Sequence, residues 1–201
     1  MPLESEKFDA IIVQKPGRRR PQWSKCRSPY GQPLDIALSA MLKECRRGNE
    51  MEAIYWAHQM AISGTQAEQF MWDQMLIFAV EDIGPADPQV LQTVLASKQA
   101  YEQFEHGFDG KYIFVANAIS ACALSKKTRH VESLYALMLY RLRQGEPGPE
   151  VPDYAIDHHL VSGKRLGRDL KHYYEVASHL ENEDMDFHVP TDELRKRAGA
   201  L

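Results

Sequence analysis

Residues 70–88 read FMWDQMLIFAVEDIGPADP, the most apolar run in the 201-residue chain and the one ending in its sharpest corner. Phe70, Met71, Trp72, Met75, Leu76, Ile77, Phe78, Val80 and Ile83 fall on nearly every side of a 3.6-residue helix. The pattern predicts a helix covered all round, a buried centre instead of a surface strip. The run closes on Glu81-Asp82, then Gly84-Pro85, then Asp87-Pro88. These read as an acidic last turn, a Gly stop, and an Asp N-cap with Pro opening the next helix. Acids at a helix C-terminus face the negative end of the macrodipole, so Glu81 and Asp82 require a cation or backbone N–H groups from elsewhere.

Working outward, Leu34, Leu38, Met41, Leu42 and Cys45 share one helical face that stops at Gly48. Asn49 with Glu52 reads as a capping box for a helix over Ala53 to Ser63, and Thr65 with Glu68 repeats the device after Gly64. Short connections make Leu34–Ile83 a unit of three antiparallel helices, with Trp56 and Tyr55 its core and rim. Beyond the corner, Val90, Leu91, Val94, Leu95 and Tyr101 mark a fourth helix running out near His106-Gly107. Tyr112, Ile113, Val115, Ala116, Ile119 and Ala123 mark a fifth, in which Asn117 is either a satisfied core amide or a polar contact at an oligomer seam. Val131, Leu134, Tyr135, Met138, Leu139 and Leu142 give a sixth, ended by Pro147, Gly148, Pro149 and Pro152.

The fold class expected is all-α, a bundle of about six main helices with an irregular C-terminal section. Three segments are expected: a basic arm over 1–32, a helical domain over 33–180, and an acidic tail with a short terminal helix over 181–201. Net charge of -4 argues against a uniformly basic nucleic-acid binder, so any such contact comes from a local patch. Arg18, Arg19, Arg20, Lys25 and Arg27 around Trp23 suit a phosphate-seeking arm with one stacking ring; the alternative is a segment wrapped on the domain surface. Cys26, Cys45 and Cys122 form no CxxC pair, and no stretch approaches the roughly 18 apolar residues a membrane helix needs. A cytoplasmic protein with reduced thiols is expected.

The segment from Asp35 to Pro88 resembles the C-terminal region of the bacterial replication-associated recombination protein A family, also called MgsA, whose eukaryotic counterpart is the Werner-helicase-interacting ATPase. The resemblance is carried by Ala53-Ile54-Tyr55-Trp56-Ala57 and by Leu76 through Pro88, including Glu81, Asp82, Gly84, Asp87 and Pro88. Val151-Pro152-Asp153, Asp157-His158 and Gly163-Lys164-Arg165-Leu166-Gly167-Arg168 look like a variant of the same family. The resemblance implies a clamp-loader-collar-like module for oligomerisation and DNA transactions, non-catalytic and homotetrameric. Implied partners are itself, DNA, and a separate AAA+ ATPase or replication protein.

Two other chemistries compete for the C-terminal section. Gly163-Lys164 fails as a phosphate loop, because His158 and Arg165 stand where a Gly and a Ser or Thr are needed. ATP hydrolysis and a cofactor are therefore not expected from this chain alone. Lys164, Arg165, Arg168 and Lys171 suit phosphate as a cluster, or else pair with Glu81, Asp82 or other carboxylates. His172, Glu175 and His179, joined by His158-His159, are spaced to share one helix face, the basis of an alternative reading as a metal-dependent hydrolase. A nucleic-acid binder acting through the arm is the third reading.

Overall fold

The computed structural model describes residues 22–105, 108–181 and 189–200. Arg18, Arg19 and Arg20 lie outside the described residues. The fold is all-α: among the described residues the only extended pairing is an isolated bridge between Arg27 and Pro33. The chain divides into compact units Met1–Arg141 and Leu142–Leu201.

The first unit holds α1 (Leu34–Arg47), α2 (Glu50–Ala61), α3 (Thr65–Phe78), α4 (Gln89–Tyr101) and α5 (Tyr112–Leu124). Leu34, Ala37, Met41 and Cys45 recur at helical spacing, and all four are buried on the inner face of α1. Helix α5 packs against α1, α2 and α4, and its small residues make this feasible: Ala118 and Ala123 sit fully inside beside Val115, Ile119 and Cys122. Asn117 donates through Nδ2 to Oγ of the buried Ser97 of α4 at 2.9 Å but is itself exposed, so it has a local partner without being a core amide. One turn further along α4, Tyr101 meets Trp72 edge to face, and the buried Lys111 ammonium lies 4.2 Å from the Tyr101 ring centre. Nothing in the spacing announces that lysine as a core residue.

The helix ends depart from the sequence expectations. Asn49 caps nothing; its Nδ2 donates to Glu44 Oε2, and α2 begins at once with Glu50. Gly64 precedes α3, so Thr65 lies inside the helix and its expected box with Glu68 does not form. Likewise Asp87 makes no side-chain cap, and α4 begins at Gln89 after Pro88. In each case a tight connection already fixes the turn through backbone hydrogen bonds, such as Asn49 N–H to Glu44 O, leaving no open first turn for the side chain to close.

The decisive stretch holds the largest surprise. Helix α3 stops at Phe78, and Ala79–Ile83 continue as one wider π turn before Gly84. Trp72, Met71, Met75, Phe78 and Ile83 are buried as expected, while Val80 is 41% exposed, so the rod is not covered all round. Gly84 then takes φ +47°, a left-handed conformation that favours glycine, with Val131 Cγ2 close to where a Cβ would sit. The π turn swings Asp82 inward to 4% side-chain exposure, where Arg46 of α1 grips it through Nε at 2.8 Å and Nη2 at 2.9 Å. Arg129 reaches Glu81 at 2.8 Å, and Thr128 N–H donates to the Asp82 carbonyl at 2.9 Å. The acids are thus answered by Arg46 and Arg129, not by Lys164, Arg165, Arg168 and Lys171 as one of the two readings of that cluster has it.

The sixth helix, α6 (His130–Arg143), forms as expected but does not join the core. None of its side chains is buried, and Val131, Leu134, Tyr135, Leu137, Met138, Tyr140 and Leu142 are all exposed. The apolar positions surround the helix instead of forming one stripe, so no single packing face is defined.

In the second unit, turns around α7 (Val161–Arg165) and α8 (Leu170–His172) lead through a second π turn, Tyr173–Ala177, and onward in the chain to α9 (Val189–Arg197).

Two measurements test this packing. A surface ion pair contributes little, but an acid at 4% exposure left without its fork is a buried charge answered only by Arg129 Nε at 3.5 Å. Arg46→Ala is expected to lose about 3 kcal/mol in urea unfolding, and Arg46→Lys to recover only part, because lysine cannot bind both oxygens. Burial pushes the Cys45 thiol from 9.0 up to about 12, and Cys122 is raised for the same reason. Stability from neutral thiols is complete below pH 9 and lost as pH rises toward 12, so a Cys45→Ala, Cys122→Ala double variant should show a flatter alkaline limb in pH-dependent unfolding.

Candidate functional site

The residues carrying distinctive chemistry gather in the second unit, on the loop from Asp153 to Arg168. Its shape is set by one close approach and one clamp. Gly163, buried in α7, faces the Asp157 carbonyl so closely that an added Cβ would lie 1.7 Å from that oxygen. The Arg168 guanidinium donates to the Asp153 carbonyl at 2.7 Å and also reaches the Ile156 carbonyl and the Asp153 carboxylate. Arg168 N–H closes the turn on Gly163 O at 3.0 Å, with Gly167 between them at φ +74°.

That clamp withdraws Arg168 from the expected phosphate cluster, since its donors are spent on the loop. Lys171 sits 3.7 Å from Glu175, one helical turn away. Lys164 and Arg165 are exposed and make no ion pair among the described residues. In the first unit, Trp23 occupies a short turn, Trp23–Lys25, and stacks on Phe70 with centroids 5.4 Å apart and planes 6° from parallel. One face of the indole is thereby covered, while Lys25 and Arg27 stand exposed beside it. Trp56 is half-buried against the core, its ring edge-on to the exposed Tyr55.

The histidines do not assemble as their spacing suggests. The π turn Tyr173–Ala177 widens the backbone after His172 and the helix ends there, so His172, Glu175 and His179 share no continuous α-helical face. His179 lies past the end, 3.7 Å from Glu181, and Glu175 faces Lys171. Among the described residues, the three donors brought together are Asp157, His158 and His159, with one donor atom of each within 4.8 Å of the others. His159 Nδ1 lies 2.9 Å from Asp157 Oδ2, and His159 N–H donates to Asp157 Oδ1 at 2.9 Å. Those hydrogen bonds from His159 hold the Asp157 carboxyl below its ordinary range, and backbone N–H groups, His172 first, do the same for Asp169. The two imidazoles lie 3.9 Å apart, each edge-on to Tyr173 at 5.3 Å. Consecutive positions 157–159 are too local to show periodicity; the signal available in the sequence was the bare Asp-His-His triplet between two turn segments.

Gly163→Ala is expected to dislodge this loop, because the clashing atom is backbone and cannot rotate away. Amide hydrogen exchange should rise across 153–168 with little change over 34–124; unchanged exchange in the loop would show that the approach is not a constraint.

Comparison with known proteins gives a consistent result. The family described as MgsA AAA+ ATPase C terminal matches residues 49–197. The replication-associated recombination protein A of Bacillus subtilis is 30% identical over 137 residues, 68% of this chain and 31% of that protein. An AAA-domain-containing protein of Mycobacterium tuberculosis is 26% identical over 170 residues, 80% of this chain and 36% of that protein. The Haemophilus influenzae replication-associated recombination protein A is 23% identical over 84% of this chain and 36% of its own length. The chain spans about a third of the length of these relatives.

Proposed function

The chain belongs to the family formed by the C-terminal region of MgsA AAA+ ATPases, and from that premise we propose that it is a non-catalytic assembly module serving DNA replication or recombination. The observation that carries the reading is α6. An isolated helix of this length is marginal in water, and stability in proteins comes from a buried apolar face. Here 14 residues carry a girdle of large apolar side chains with none buried, from Val131 at 40% to Leu142 at 59% exposed. A second copy of the chain is the occupant proposed for that girdle, in a homotetramer. Closed assembly would bury the same residues in every subunit and remove a patch that otherwise drives aggregation.

No helix among the described residues is long and apolar enough to cross a membrane. Protein–protein contact is the use proposed for α6. DNA and a separate AAA+ ATPase or replication protein are the further partners proposed. The exposed Lys25, Arg27, Lys164 and Arg165 supply local positive charge on a chain of net charge -4.

Solution mass by light scattering is expected near four times 23.0 kDa at micromolar concentration. Leu134→Glu with Met138→Glu should lower the mass while helical circular dichroism persists; a wild-type monomer across that range would sink the reading. For DNA, affinity should fall steeply with salt, and the slope should shrink by about one per phosphate-contacting charge removed in Lys164→Ala, Arg165→Ala. Salt-independent binding, or none, would remove DNA from the partners.

A further inference from the structure

We infer that Asp157, His158 and His159 form a binding site for a divalent transition-metal ion of the zinc class. Two imidazoles and one carboxylate are donor types such ions take. The donors already lie near ligand spacing. Two ligands on a tetrahedral ion with bonds of about 2.0 Å are about 3.3 Å apart, and the His159 Nδ1 to Asp157 Oδ2 edge measures 2.9 Å. The three donor atoms all lie within 4.8 Å of one another.

The backbone beneath is held for the purpose. The Asp157 carbonyl accepts Leu160 N–H at 3.1 Å and rests against Gly163, while Arg168 holds Asp153 and Ile156 immediately upstream. A preformed loop lowers the ordering cost of ligation. The second observation pointing to a ligand is His158: its Nδ1 is buried without a hydrogen-bond partner, 3.9 Å ring to ring from an imidazole already committed to a carboxylate. A buried lone ring nitrogen without a partner carries a desolvation cost, which a bound cation offsets. Tyr173 walls the pair, whereas His159 stays 62% exposed at the side chain, leaving an entry path and room for water in the remaining coordination positions. His172, Glu175 and His179 take no part. The site is independent of the assembly proposed through α6.

Zinc titrated calorimetrically into the full chain should bind with one saturable site per subunit. His159→Ala and Asp157→Asn should each weaken it at least tenfold, and His179→Ala should leave it unchanged. Because a loop variant can disturb folding, the unaltered chain is tested in parallel: cobalt should give visible bands of tetrahedral intensity, and zinc should protect His158 and His159, but not His179, from diethyl pyrocarbonate in peptide mass mapping. Absence of saturable binding, octahedral-type cobalt spectra with equal protection of all histidines, or binding undiminished in folded His159→Ala would overturn the assignment.

Discussion

The bidentate contact between Arg46 and Asp82 is the constraint on which the first unit depends. It couples α1 to the end of α3 across 36 residues of sequence, and does so with a charge that the π turn has carried into the interior. Once Asp82 is inside, its carbonyl is available to Thr128 N–H, and Glu81 remains outside to take Arg129. The link from α5 to α6 is therefore fastened to the same corner that turns α3 into α4. A straight α-helix through Ile83 would rotate these acids away from both arginines. The widened turn breaks local regularity, and its reward is tertiary.

That corner also explains why α6 begins in order yet ends in the open. Arg129 and Val131 are anchored at Glu81 and beside Gly84, whereas the side chains that follow reach no core. An element oriented at one end and apolar along its length suits presentation to another surface. The core itself is complete without it: Trp72, Tyr101, Met41, Met60 and Ile119 are already enclosed by the first five helices. Its apolar residues are thus surplus to folding of the unit and available for association.

The second unit is organised by another logic, with less apolar burial and more polar fastening. Arg168 and Gly163 shape a loop whose most reactive groups, Asp157, His158 and His159, are held at its turn. An arginine that sequence alone groups with neighbouring cations is structural, while Lys164 and Arg165, adjacent in the chain, remain at the surface. The difference is position: Lys164 and Arg165 lie on α7, whereas Arg168 follows the Gly167 turn that ends it.

Periodicity by itself determined the all-α class and most of the inner face of α1, and Gly84-Pro85 marked the corner after Ile83, whereas Ile113 of α5, Leu95 of α4 and Val80 share the apolar pattern and are exposed. It also revealed that Glu81 and Asp82 needed a counter-charge, since two acids at a helix end conflict with the macrodipole. Only tertiary structure decided who answers them, because Arg46 and Arg129 are distant in sequence and indistinguishable there from other arginines. The same holds for α6, whose spacing matches a core helix but whose burial depends on whether another surface exists to receive it. The capping boxes failed for a related reason, as connections this short satisfy their own backbone groups before side chains can compete. Helical phase beyond His172 was lost to one inserted residue per turn, a widening that no residue pattern announces.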